Sequence, residues 1–193
     1  MTTHSQHLHQ HADANSHNVH TCGDCHLHTV HSADVETRLQ YAQSLCEAQG
    51  VRFTPLRQAV YRLILTAGKP IGAYDLISAL QNSRKQSHED SLSLGNVAPP
   101  TVYRSLEFLL AQGLIHQLNS LSAYVPCCHP RASHNAAFLI CQNCQQVQEY
   151  SSLPIDDLLN FAKQDAQFYV QKSIIELRGL CHECRNKQGN ISE

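Results

Sequence analysis

Two cysteine pairs and a nearby glutamate are the residues of this chain best suited to metal chemistry. The stretch CQNCQQVQEY contains Cys141, Cys144 and Glu149, and LCHECRN adds Cys181 and Cys184. Zinc takes four Cys, His or carboxylate ligands in a tetrahedron, and four thiolates complete a closed structural site. The residues between the pairs predict a helix and a strand that can return the chain to its start. We therefore predict one structural zinc site and not two disulfides.

A second group of potential ligands remains once the four cysteines are assigned. Its members are His116, Cys127, Cys128, His129, His134 and Glu149. They fall around the boundary between two predicted domains, so a metal ion bound there would connect the domains. Such a position suits a sensor better than a purely structural site. Spacing alone leaves the choice among these residues open.

Composition limits the class of protein. The chain has 193 residues, is 42% hydrophobic and 16% charged, and has a formal net charge of −2. It can therefore bury a core, but any nucleic-acid binding must depend on local charge placement. No stretch resembles a signal peptide or approaches the roughly 18 apolar residues of a membrane span. We expect a cytoplasmic protein with no membrane partner, in which paired cysteines bind metal.

Residues 33–126 show the pattern of a winged-helix domain. Apolar residues at helical spacing predict helices from Ala33, from Thr54-Pro55, around Tyr74 to Leu80, and over PPTVYRSLEFLLAQG. We expect Leu56, Val60, Leu63 and Ala67 to form the buried face of the second helix. A polar loop over 82–98 precedes the fourth helix, and LIHQLNSLSAYV predicts a β-hairpin.

The second half predicts a small α/β domain over residues 136–185, after a linker at 127–135. FLIC and QVQEY are typical of strands, Pro154 to about Gln164 predicts a helix, and FYVQKSIIEL predicts a long strand. Residues 186–193 are assigned to a C-terminal tail. The predicted fold class is therefore α+β, with the winged helix first.

Residues 1–32 form a histidine-rich segment. Nine of the fourteen histidines lie before residue 32, among polar residues with little apolar content. We expect this segment to be disordered without metal. Four of its residues are candidates for an auxiliary metal site: His20, Cys22, Cys25 and His26.

Basic residues of the predicted winged helix are candidates for DNA contacts. At about 100° per residue, Arg104 points away from the apolar face of its helix. An arginine so placed can pair bidentately with guanine in a major groove. Arg57, at the start of its helix, is a candidate for a phosphate contact or a solvated side chain. Lys and Arg number eight between residues 34 and 125, against seven Asp and Glu, so affinity must depend on placement.

The chain resembles the ferric uptake regulator family, specifically its zinc uptake regulator branch, over residues 34–185. The resemblance rests on TPLRQAV, AYDL, PPTVYRSLEFLLAQGLIH, ICQNC and GLCHEC. It implies a winged helix followed by a dimerisation domain, and Tyr103 and Tyr74 as DNA contacts. A position in the core is the alternative for Tyr74. The resemblance also implies two zinc ions per chain. The structural zinc ligands are Cys141, Cys144, Cys181 and Cys184, and the regulatory zinc ligands are His116, Cys127, His134 and Glu149.

One detail departs from the family pattern. The linker to His134 is one residue short, which keeps Cys128 and His129 as alternatives to Cys127.

SHNAAFLIC carries one histidine before the first cysteine pair, whereas iron-sensing relatives have a denser cluster. A thiolate ligand also favours zinc over iron.

We expect a homodimeric, zinc-dependent repressor that binds operator DNA and blocks transcription of zinc-uptake genes. The alternatives are a repressor that responds to iron or another metal, and a zinc storage or chaperone protein. An enzyme is not expected, because a four-cysteine site is closed and the chain lacks HExxH, a Gly-rich loop or a nucleophile motif. No small-molecule substrate is expected.

Overall fold

The computed structural model describes residues 32–86, 97–130, 136–150, 155–170 and 173–189. The first part contains, in chain order, α1 (Ser32–Ala48), α2 (Pro55–Thr66), β1 (Ile71–Gly72), α3 (Ala73–Gln86), α4 (Pro99–Ala111), β2 (Ile115–Leu118) and β3 (Ala123–Pro126). The second part contains β4 (Ala137–Cys141), β5 (Val147–Tyr150), α5 (Ile155–Gln164), β6 (Ile175–Gly179) and α6 (His182–Gly189). The predicted α+β class is confirmed. Within the described ranges, no helix has the length and apolar character needed to cross a membrane.

Helix α2 begins where the sequence predicts but buries a different face. Thr54 caps it by accepting a hydrogen bond from the Arg57 N–H at 3.5 Å, and proline occupies the first turn. Leu63 and Ala67, predicted to be buried, are only half buried. The helix packs against α1, α4 and β3. Its buried face is therefore wider than the predicted one and is rotated about the helix axis. The buried residues are Leu56, Val60, Tyr61, Ile64 and Leu65.

Several element limits differ from the predictions. Helix α3 continues to Gln86, past the predicted start of the loop at residue 82, because Arg, Lys and Gln are good helix formers. Strand β6 covers only Ile175–Gly179, the five residues that pair with β4, and is therefore shorter than predicted. Helix α6 includes part of the predicted C-terminal tail. The two-residue strand β1 was not predicted.

Two three-stranded sheets position the candidate sites. In the first, β3 lies between β1 and β2, and all pairings are antiparallel. In the second, β4 pairs antiparallel with β5 and parallel with β6.

Apolar side chains from the two parts pack together. Leu118 and Val125 of the β2–β3 hairpin lie in one buried cluster with Phe138, Ile140 and Val147 of the second sheet. The helices have a separate core. The hairpin is therefore packed against both parts of the chain, and the domain limits given above stay a prediction.

Candidate metal centres and nucleic-acid interface

The parallel pairing of β4 and β6 brings the two cysteine pairs together. Cys141, the last residue of β4, is in register with Gly179, the last residue of β6. Since parallel strands end at the same edge of the sheet, the residues that follow each strand meet there. The four ligand sulfurs of Cys141, Cys144, Cys181 and Cys184 all lie within 4.8 Å of one another. We call these residues the cysteine quartet.

The quartet fits a tetrahedral zinc ion better than disulfides. The Sγ atoms of Cys144 and Cys181 are 3.8 Å apart, whereas a disulfide requires about 2.05 Å. A tetrahedron with Zn–S bonds of about 2.3 Å has edges of about 3.8 Å. All four cysteines are free thiols in the structure.

Within the quartet, the local electrostatics favour the thiolate form of Cys141 and disfavour that of Cys144. Backbone N–H groups of Cys181 and Cys144 lower the pKa of Cys141 to about 6. The Gln146 N–H favours the Cys144 thiolate, but desolvation and the neighbouring thiols outweigh it and raise the pKa of Cys144 to about 12. Four thiolates at this spacing therefore need a cation, and a divalent metal ion supplies it.

A second group of ligand atoms lies where the hairpin meets the second sheet. His116 in β2, Cys127 directly after β3 and Glu149 in β5 have ligand atoms within 4.8 Å of one another. The Nε2 atom of His116 is 3.2 Å from Oε1 of Glu149. The Cys127 N–H donates to the Leu114 carbonyl at 3.0 Å, which extends the hairpin pairing and fixes the cysteine. We call His116, Cys127 and Glu149 the boundary group.

The boundary group is shielded from solvent and strongly polarised. Cys127 is fully buried and Glu149 is 5% exposed. Burial lowers the pKa of His116, but hydrogen bonds and charge from Cys127 and Glu149 outweigh it and raise the value to about 9. Without a metal, the imidazolium therefore provides positive charge beside these two acidic groups.

The structure distinguishes the neighbouring thiols. The Cys128 N–H donates to Oε2 of Glu149 at 3.0 Å, so its backbone orients the carboxylate. Burial and the Glu149 charge raise the pKa of the Cys128 thiol to about 12. Among the described residues, neither Cys128 nor the exposed His129 belongs to the boundary group.

Imidazole, thiolate and carboxylate together form a donor set that suits zinc, with one tetrahedral position left for a fourth ligand. His134, the predicted fourth ligand, lies outside the described residues, as do the tail candidates His20, Cys22, Cys25 and His26.

The predicted DNA contacts differ in their surroundings. Tyr74 in α3 is 79% exposed and Tyr103 in α4 is 38% exposed, which removes the alternative that Tyr74 is a core residue. Arg104 is exposed beside Tyr103. The guanidinium of Arg57 lies 3.5 Å from the ring centroid of Phe108 and donates to the Arg52 carbonyl. Arg57 therefore helps to pack α2 against α4, and its phosphate contact stays a prediction.

Comparison with known proteins identifies the family. The sequence profile of the ferric uptake regulator family matches residues 48–178. The chain belongs to this family. The zinc uptake regulation protein of Escherichia coli (strain K12) is 34% identical over 147 residues, which are 76% of this chain and 80% of that protein.

Two solved structures support the same branch of the ferric uptake regulator family. A zinc uptake regulator complexed with zinc and DNA is 32% identical, with a TM-score of 0.70 over 80% of this chain and 97% of its own. Holo XcZur is 35% identical, with a TM-score of 0.66 over 78% of this chain and 98% of its own. The predicted zinc uptake regulator branch is confirmed.

Sequence reasoning missed two charged residues that this member of the ferric uptake regulator family uses near the boundary group. The guanidinium of Arg38 in α1 donates to the Cys127 carbonyl, 89 positions away in the chain. Glu176 in β6 accepts hydrogen bonds from the turn after β2. Neither residue belongs to a metal-binding motif, and no local pattern indicates their partners.

Proposed function

We propose that this chain is a zinc-responsive repressor that binds the operators of zinc-uptake genes as a homodimer, with zinc as corepressor. The observation that carries the proposal is the position of the boundary group. His116 lies in the hairpin of the winged-helix part, Cys127 directly follows that hairpin, and Glu149 belongs to the second sheet. Relatives named as zinc uptake regulators, one of them solved with zinc and DNA, support it.

The boundary group sets the relative position of the two parts. Zinc, when bound, supplies a divalent charge that accepts ligands from both parts at once. His116 presents its donor atom from the hairpin, and Cys127 presents its sulfur directly after it. The Cys128 N–H orients the carboxylate of Glu149, which comes from the second sheet. His134 is the proposed fourth ligand. Such a site favours DNA binding only because its ligand geometry is better in the competent arrangement than in others.

Helix α4 is the proposed recognition helix. Its buried face, which includes Val102, Leu106 and Leu109, packs on the helical core. Tyr103 and Arg104 lie on the exposed side, where they would contact base edges in a major groove. Tyr74 of α3 and Arg57 of α2 are proposed as additional contacts. A symmetric dimer would present two such helices to two half-sites.

The second part is the proposed dimerisation domain. Large apolar side chains are exposed there. Exposed apolar surface of this kind marks protein–protein interfaces, and most soluble oligomers consist of identical subunits. The exposed apolar side chains are those of Leu158, Phe161, Phe168, Tyr169, Ile174, Leu177 and Leu180. The cysteine quartet would hold structural zinc at one edge of the same sheet and thereby stabilise the dimerising surface.

A gel-shift titration of the full chain against free zinc tests this function, with iron and manganese as matched controls. We expect specific operator binding to appear with zinc at a lower free concentration than with either control metal. Operator binding that follows iron would support the iron-responsive alternative. Zinc binding without sequence-specific DNA binding would instead support zinc storage or delivery, and would contradict the repressor.

Residues 1–32 suggest an accessory role. We propose that His20, Cys22, Cys25 and His26 bind additional zinc more weakly than the other sites and buffer or deliver it.

The proposed repressor would act in the cytoplasm, where bacterial DNA lies. No enzymatic step is required for any of these roles.

A further inference from the structure

Three residues form a row across the second sheet and face the winged-helix part. Phe138 of β4 is in register with Glu149 of β5 on one side and with Glu176 of β6 on the other. In-register neighbours on adjacent strands project from the same face of a sheet. Glu149 belongs to the boundary group, whereas Glu176 has no place in either metal site.

All three side chains of this row contact one short segment of the hairpin. Glu149 lies 3.2 Å from His116, and the Phe138 ring packs edge-on against the same imidazole with centroids 5.1 Å apart. Glu176 accepts the N–H of Asn119 at 2.7 Å through Oε1 and the N–H of Ser120 at 3.0 Å through Oε2. We call residues 119–122 the wing turn.

We infer that Glu176 is a positioning residue that holds the wing turn on the second sheet and thereby presents His116 to Glu149. This inference rests on the proposed function and adds a contact between the two parts that needs no metal. Only three positions separate His116 from Asn119, so a hold on the wing turn limits where the imidazole can lie.

The chemistry of the contact requires a carboxylate. Its two oxygens each accept one backbone N–H, and hydrogen bonds to a charged acceptor are stronger than neutral ones. Burial raises the pKa of Glu176, but hydrogen bonds from the Ser120 hydroxyl and from the N–H groups of Asn119 and Ser120 outweigh it and lower the value. Glutamine has the same shape but would direct an amide NH₂ group at one of the two N–H donors.

The contact and the metal site are coupled by linkage. If the hold on the wing turn favours the arrangement in which His116 meets Glu149, it raises zinc affinity at the boundary group. Reciprocally, zinc bound there must strengthen the contact with Glu176 by the same factor. Loss of the contact should therefore change the zinc requirement more than it changes the protein–DNA interface itself.

Glu176→Gln in the full chain tests this directly, with Asp157→Asn as the matched control. Asp157 is exposed on α5 of the same part, so the control makes the same change of charge. We expect Glu176→Gln to raise the free zinc needed for half-maximal operator binding by about fivefold or more. Operator affinity at saturating zinc and the quartet's zinc content should stay close to wild type. The control should titrate as wild type.

Asn119→Pro removes the contact from the other side. Leu118 already has the extended backbone (φ −92°, ψ 109°) that a residue before proline prefers. Proline eliminates the Asn119 N–H and leaves the carboxylate intact. We expect this variant, too, to need more free zinc for half-maximal operator binding. The double variant Glu176→Gln, Asn119→Pro should need little more than either single variant, because both changes weaken the same contact.

The outcomes separate the two proposals. A wild-type chain whose operator binding ignores zinc would overturn the proposed function. A zinc-responsive wild type beside Glu176→Gln and Asn119→Pro variants with unchanged zinc midpoints would overturn only the positioning role. Equal shifts of the zinc midpoint in Glu176→Gln and Asp157→Asn would show that the effect comes from net charge. That result would also overturn the positioning role.

Discussion

At the boundary group, two adjacent cysteines have different surroundings, and this difference predicts different phenotypes. Cys127 is fully buried with its ligand atom near His116 and Glu149, whereas Cys128 contributes a backbone N–H to Glu149. Cys127→Ser should therefore leave a folded dimer with about one zinc per chain. It should bind operator poorly at zinc levels that saturate wild type, and excess zinc should partly restore binding.

Cys128→Ser is the matched control because it keeps the N–H that Glu149 accepts, and it should be milder. Glu149→Gln should resemble Cys127→Ser, since each change removes one anionic ligand. Zinc content per chain and operator affinity across a zinc titration are the measurements. A normal response in Cys127→Ser beside a lost response in Cys128→Ser would assign the site to the other thiol.

The elevated pKa of His116 predicts how zinc binding depends on pH. In the metal-free chain this pKa is about 9, so the imidazole carries a proton at neutral pH. Zinc needs a neutral imidazole and must displace that proton. Affinity at the boundary group should therefore rise as pH increases from 6 towards 9, by about tenfold per unit for each proton released.

Calorimetry in buffers of different ionisation enthalpy measures the protons released directly. Chains with the quartet already filled isolate the boundary group. Zinc affinity that stays constant over this pH range would contradict the protonated His116.

Among the elements, α4 carries the prediction for DNA recognition. Arg104 is exposed on this helix, and its apolar neighbours are buried on the other side. Arg104→Ala should cost roughly 1–3 kcal/mol of operator affinity and relax discrimination at one base position. Lys163→Ala is the charge-matched control, because Lys163 is exposed on α5. Equal losses for operator and random DNA would show that Arg104 contacts the backbone and reads no base.

The ends of strands β4 and β6 meet at the quartet. Zinc bound there should therefore stabilise the second part. Cys141→Ser or Cys184→Ser should release one zinc per chain and destabilise the second part together with the dimer. Cys128→Ser serves as a control for the loss of a thiol outside the quartet. Metal analysis and mass under native conditions provide the test. A variant with unchanged zinc and dimer mass would contradict the four-thiolate assignment.

The quartet and the helices were predictable because their signals are local. Two Cys-x-x-Cys pairs specify a ligand set by spacing, and Thr54-Pro55 specifies a helix start through its own hydrogen bond. Glu176 and Arg38 could not be found in this way. Their partners are 57 and 89 positions away in the chain, and only the fold brings them together. The rotated buried face of α2 has the same origin, since tertiary neighbours determine which side is covered.

At the scale of the whole molecule, the boundary group, the Glu176 contact and the shared apolar cluster all join the hairpin to the second sheet. The residues that make these contacts, as the described part of the chain shows them, lie between His116 and Glu176. Deleting residues 1–31 should therefore preserve the fold, the dimer, operator recognition and the two proposed zinc sites, while removing extra zinc equivalents of lower affinity. A variant with Cys22 and Cys25 replaced by serine separates the cysteine motif from the histidines. Zinc stoichiometry and operator affinity at saturating zinc are the measurements. Loss of operator binding by the truncated chain at saturating zinc would contradict the buffering role and assign the segment to recognition itself.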